Sequence, residues 1–191
     1  MAGPGGYHRP KSLLRPGGKE HEPRGSFTFI KEDRNGTNPK IIARDQDGVK
    51  WNVKLGDEAR PETAASRLVW AVGYFASKDY FVSDLTVQDM PPHLHRGQKL
   101  LGSDGSLPNV RLKRNLTGEE KIGNWGWSDQ VLSGTRELNG LRVLRALIDN
   151  WDVNTENNAI YQEKRDGAAG GIRFSFWPLR ASSISGSSCA G

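Results

Sequence analysis

Cysteine is nearly absent from this chain: Cys189 stands alone near the C-terminus, so no disulfide can form within the chain and no cysteine-based zinc site is available. No run approaches the ~18 apolar residues of a membrane-spanning helix. Met1–Gly25, rich in Gly, Pro and basic residues, has no apolar signal-peptide core. The patterns G-x-x-x-x-G-K-S/T, G-x-S-x-G and H-E-x-x-H are all missing, which argues against P-loop, nucleophile-elbow and zincin chemistry. Acidic residues are missing from Ala168–Gly191, and no internal repeat occurs.

What is present starts with charge. The 27 Lys+Arg outnumber the 22 Asp+Glu, for +5 over 191 residues, which favours anionic partners without naming one. Gly5-Gly6, Pro10, Pro16-Gly17-Gly18 and Pro23 predict a loose arm over residues 1–25. Phe27–Lys31, Lys40–Arg44 and Val49–Leu55 read as three strands. In the third, Val49, Trp51, Val53 and Leu55 share one face and Lys50, Asn52 and Lys54 the other. Asp47-Gly48 predicts a two-residue hairpin between the second and third strands, and Arg34–Lys40 a polar turn between the first two.

A helix is expected from Pro61, at its first position, to a Gly73 cap, with Ala65, Leu68, Val69 and Val72 as its apolar stripe. Tyr80–Val87 and Val110–Lys113 read as further extended segments. A second helix starts near Thr135 and presents Leu138, Leu141, Leu144, Leu147, Ile148 and Trp151 to the core, with Gly140 weakening it. Ala159-Ile160-Tyr161 and Ile172–Phe176 are strand-like. His93-Leu94-His95 has the spacing of a metal-binding pair on a strand but no evident acidic or thiol partner, so it also reads as an ordinary loop pair.

Four parts follow one another in a meaningful order: a three-strand meander with a polar glycine turn, Lys54 on the third strand, Glu62 in the first turn of the next helix, and Asp152-x-x-x-x-Asn157 after a long helix. Phosphoryl transfer needs a cation over the triphosphate, oxygen ligands for magnesium and an acceptor for the hydroxyl proton. In that scheme Asp152 orients or deprotonates the acceptor, and Asn157 offers its amide oxygen to a metal ion. Each residue also has a plainer role when read alone. Lys54 is an exposed sheet lysine, Glu62 a favourable charge at a helix N-terminus, and Asp152 a turn-capping residue.

The stretches GTNPK, DGVKWNVKLGDEARPETAASRLVWAVGYF, LHRGQKL and GTRELNGLRVLRALIDNWDVNTENNAIYQEK resemble an uncharacterised bacterial protein family with a kinase-like fold. That family is related in pattern to phosphatidylinositol 3/4-kinase-like enzymes and to the serine/threonine kinases of toxin–antitoxin pairs. The resemblance covers roughly Pro16 to Lys164. It implies ATP and Mg as cofactors, Lys54 as the phosphate-binding lysine, Glu62 as its helix partner, and Asp152 with Asn157 as the catalytic-loop pair. By the same resemblance Asn35, Gly36, Thr37, Asn38 and Lys40 belong to a phosphate-covering loop.

The chain also departs from that pattern. Glu62 follows Lys54 by only eight positions, so Glu58 remains a competing partner. The turn at 34–40 has a single glycine, and Trp151 precedes Asp152 where His-Arg is expected. Where relatives carry a metal-binding aspartate, this chain has Trp177-Pro178-Leu179-Arg180-Ala181-Ser182. Proline has no ligating side chain, and Arg180 would repel a cation.

The expectation is therefore an α+β, protein-kinase-like two-lobe fold with an incomplete C-lobe. It comprises an arm at 1–25, an N-lobe at 26–114, a partial C-lobe at 115–167, and an atypical tail at 168–191 that reads as a truncation or an altered frame. The expected function is an ATP/Mg-dependent phosphotransferase by ancestry, inactive or impaired in this form. Alternatives are a non-catalytic, pseudokinase-like binding module and, second, a basic nucleic-acid-binding protein. Expected partners are a nucleotide and an unknown protein or small-molecule acceptor, with no membrane span and with nucleic acid not favoured. The chain as written reads as cytoplasmic, a secreted or envelope location of full-length relatives being left open.

Overall fold

A computed structural model describes residues 18–115, 119–150, 154–163 and 172–176. The expectations for residues 1–17, for Trp151 and Asp152, and for most of 168–191 lie outside them.

The chain is a mixed α+β structure whose main element is a curled sheet. Strands β1 (Phe27–Asp33), β2 (Lys40–Asp45) and β3 (Lys50–Lys54) form an antiparallel meander. The hairpin between β2 and β3 carries Gln46-Asp47-Gly48 between the paired Asp45 and Val49, one residue longer than expected, with Gly48 at φ 80°, where glycine is unstrained. Asp45 fixes that turn by accepting hydrogen bonds from the Asp47 and Val49 amides and from Trp51 Nε1.

Helix α1 (Ala59–Ala71) follows, then β4 (Asp79–Leu85), β5 (Val87–Gln88) and β6 (Leu107–Arg114). The strand order is β4-β6-β3-β2-β1-β5, with only β1 and β5 parallel. Thr86 alone separates β4, on one edge, from β5, on the other. The sheet therefore curls, so that one edge strand runs almost directly into the other. Trp51, Val53, Ile41, Leu107, Val110 and Leu112 fill the concave side. Leu94, Leu100 and Leu101, from the segment between β5 and β6, pack against them.

Helix α1 starts two residues earlier than its proline suggests. Pro61 is the third helical residue, where no intrahelical N–H donor is required. The far end matches the sequence: the Gly73 amide donates to Trp70 O and the Tyr74 amide to Val69 O, with Gly73 at φ 94°, a Schellman cap. The apolar stripe is corrected. Leu68 and Val72 are exposed, and the buried face is Ala59, Glu62, Thr63, Ala65, Ser66 and Val69. That face is small and polar because it covers charged residues of β3, β4 and β6.

The second part contains β7 (Glu119–Asn124), α2 (Arg136–Leu147), a 3₁₀ turn at Thr155–Asn157, β8 (Asn158–Glu163) and β9 (Ile172–Phe176). The strands form an antiparallel sheet in the order β7-β8-β9. Thr135 caps α2 by accepting from the Leu138 amide. Leu138 and Leu141 are buried with Val69 and Trp125, but Leu147 is 77% exposed and the next turn buries Arg145 instead. Gly140 has a packing role. A Cβ there would meet the Tyr74 hydroxyl at 2.5 Å, and that hydroxyl donates to Glu137 O at 2.7 Å. Among the described residues no helix is long and apolar enough to cross a membrane.

Candidate functional site

Strand register creates the site. Asp33 faces Lys40, Lys40 faces Lys54, and Lys54 faces Arg111 in successive strand pairs. Residues directly opposite share a face of the sheet, so three cations stand in a row across β2, β3 and β6. Like charges in such positions repel unless carboxylates separate them. Asp33 accepts from Lys40 at 3.2 Å at one end. At the other, Asp79 lies 3.9 Å from Arg111 and also accepts from Ser66 Oγ at 2.9 Å.

The centre of the row is covered by α1. Lys54 and Arg111 are 7% and 1% exposed, and Glu62, from the first turn of α1, is 2% exposed. One Glu62 oxygen pairs with Lys54 and the other with Arg111. Burial pushes the Glu62 carboxyl above its ordinary range, opposed by Arg111 and Lys54 and reinforced by the neighbouring Glu58.

Glu58, one residue before α1, is a second partner of Lys54, at 2.8 Å. The same Glu58 Oε2 accepts from Asn38 Nδ2 at 2.7 Å. Asn38 belongs to the turn between β1 and β2, so Glu58 ties that turn to the lysine. The two glutamates the sequence left in competition both reach Lys54, and only Glu62 also reaches Arg111.

The β1–β2 turn is held from its other side by Arg96. Its guanidinium donates to the carbonyl oxygens of Arg34 at 3.0 Å and Gly36 at 2.8 Å, and to that of Thr37. The Arg96 and His95 amides donate to Glu32 at 2.7 and 3.0 Å. The neighbouring Gly97, at φ 84°, lies so close to Pro39 that a Cβ would approach the proline ring at 2.8 Å. With its carbonyls turned toward Arg96, the turn leaves the amides of Gly36, Thr37 and Asn38 without a hydrogen-bond acceptor among the described residues. Successive free amides beside a lysine are the donor set an anion requires. Gly36 and Lys40 are neighbours here: a Cβ on Gly36 would lie 3.7 Å from Lys40 Nζ.

Asn35, Gly36, Thr37, Asn38, Lys40, Lys54 and Glu62 are thus brought into one neighbourhood. Asn157 ends the 3₁₀ turn that enters β8, its amide donating to Asn154 O at 3.1 Å. Asp152 lies outside the described residues. A single neutral amide oxygen does not make a magnesium cage, which needs several oxygen ligands. Among the described residues no group of three or more His, Cys, Asp or Glu side chains is arranged to hold a metal ion. His93 and His95 belong to the segment whose Arg96 braces the turn. A separate cavity of about 590 Å³, lined by Trp127, Arg142, Arg145 and Asn150 among others, opens beside α2 rather than beside Lys54.

Arg111, Asp79, Arg96 and Glu32 were not singled out from the sequence. Arg111 had a faint signal, a lone charge between Val110 and Leu112, yet its partner Glu62 is 49 residues away. Comparison of the chain with known protein families, with curated proteins and with solved structures finds no match.

Proposed function

We propose that the chain is a kinase-like phosphotransferase domain by ancestry, and that it grips the phosphates of a nucleotide between the β1–β2 turn and Lys54. The observation that carries this reading is the buried pair between Lys54 on β3 and Glu62 in the first turn of α1. Protein kinases use a lysine on their third strand, paired with a glutamate of the following helix, to hold ATP phosphates. The order β1-β2-β3-β6-β4, with α1 between β3 and β4, gives Lys54 and Glu62 the same relation. The turn between β1 and β2, with its acceptor-free amides, takes the part of the phosphate-covering loop.

In this reading the curled sheet with α1 is the nucleotide lobe. Helix α2 with the β7-β8-β9 sheet is part of a second lobe, and Asp152 and Asn157 are its catalytic-loop pair. Magnesium, when bound, supplies charge neutralisation between phosphates. This chain's residues supply phosphate donors more fully than metal ligands. Pro178 and Arg180, standing where the resemblance calls for a metal-binding aspartate, favour a binding module with weak or no transfer.

Thermal melting with ATP, adenosine and buffer, each with and without magnesium, tests the proposal. A rise in Tm with ATP and a smaller one with adenosine supports it. Equal melting in all conditions contradicts it.

A further inference from the structure

We infer that Glu58 is an internal anion latch, occupying with Oε2 the position between Asn38 and Lys54 that a phosphate oxygen takes when ligand binds. The inference rests on the phosphate-binding reading of that site and names how the site is regulated. One carboxylate oxygen accepts both from the turn's Asn38 amide and from the Lys54 ammonium, at 2.7 and 2.8 Å. These are two of the donors the site offers a phosphate, so Asn38 Nδ2 and the Lys54 ammonium already have an acceptor without ligand.

Glu58 and Glu62 differ in what holds them. Glu62 is buried and bound by two cations. Glu58 has a side chain 28% exposed, pairs with Lys54 alone among the cations of the row, and makes no side-chain cap to α1. Turning it toward solvent therefore breaks two contacts and leaves the helix start intact. With Glu58 in place Lys54 has two carboxylate partners, Glu58 and Glu62. With Glu58 turned away, Lys54 and Arg111 share Glu62, and the row attracts an incoming anion. A ligand that must first displace the latch binds with an affinity reduced by the fraction of open molecules.

Titration calorimetry on the full chain tests this, with Mg-ATP and inorganic tripolyphosphate as probes and with Glu58→Gln and Glu58→Ala as variants. Both variants are expected to keep the fold, since the side chain is partly exposed and caps nothing. Binding of both probes should tighten by about three- to tenfold, more for Ala than for Gln. Unchanged or weaker binding of both probes by both variants overturns the latch. If ATP binds wild type and variants alike, the latch falls and the nucleotide reading stands. If the variants tighten tripolyphosphate binding while no form binds ATP, the latch stands and the nucleotide reading falls.

Discussion

Lys54 and Glu62 are joined across two elements as a buried ion pair, the ammonium at the end of β3 meeting one carboxylate oxygen while the other oxygen holds Arg111. Glu62 is therefore the hub of the row and Lys54 one of its arms, so the two residues should not tolerate removal equally.

Glu62→Ala takes from buried Arg111 its direct carboxylate partner, with Asp79 3.9 Å away, and should cost about 3–5 kcal/mol. Lys54→Ala leaves Glu62 paired with Arg111 and should cost about 2 kcal/mol. Urea denaturation of both variants measures the difference. The reverse order would mean that Lys54, not Glu62, anchors α1 to the sheet.

Arg96 is expected to matter more for binding than for folding. Its bonds to the turn are exposed, so Arg96→Ala should lower stability by about 1 kcal/mol. Losing the braced turn should weaken tripolyphosphate binding by about tenfold. Arg96→Lys should resemble Ala, because an ammonium cannot reach three carbonyls as a planar guanidinium does. Full binding by the lysine variant would show that charge alone is required.

Gly140 and Tyr74 provide a test of packing whose sign changes with background. Gly140→Ala gains about 1 kcal/mol of helix propensity but drives a methyl into the Tyr74 hydroxyl. The substitution should be neutral or destabilising in wild type. With the hydroxyl removed in Tyr74→Phe it should stabilise by up to about 1 kcal/mol. A double-mutant cycle from thermal melts reads the coupling.

Much of the sheet was legible because local patterns decide it: alternation in Val49–Leu55, Asp47-Gly48 at the hairpin, Gly73 at the end of α1 and Thr135 at the start of α2. The burial of α1 was not. Its neighbours on the sheet are Lys54, Arg111 and Asp79, so its inner face favours Glu62 and Ser66 and turns Leu68 and Val72 outward. Helical periodicity assumes an apolar floor and fails over a charged one. Strand β7, Glu119–Asn124, was missed because its register with β8 shifts between Lys121 and Gly123, which spoils the alternation. The brace by Arg96 was illegible for another reason: it joins residues about sixty positions apart through backbone carbonyls, which leave no trace in residue type.

Acid should loosen the turn through Glu32. Burial raises its carboxyl, but the His95 and Arg96 amides outweigh that and hold it below the ordinary value of 4.5. Its contribution is thus present above that value and lost as pH falls through the depressed one. Glu62, shifted upward, has the opposite sign: its contribution is lost as pH rises through its raised value. Melting curves from about pH 6 to about pH 3 should fall less steeply for Glu32→Gln than for wild type. Parallel curves would remove Glu32 from the acid response.

The grip of Lys54 on phosphate is tested most directly by calorimetric Kd values for Mg-ATP and for adenosine, on wild type and on Lys54→Met. Wild type should bind Mg-ATP more tightly than adenosine, and the methionine variant should lose most of that preference. An ATP preference undiminished by the loss of the ammonium, or no ATP binding by wild type, would contradict the account.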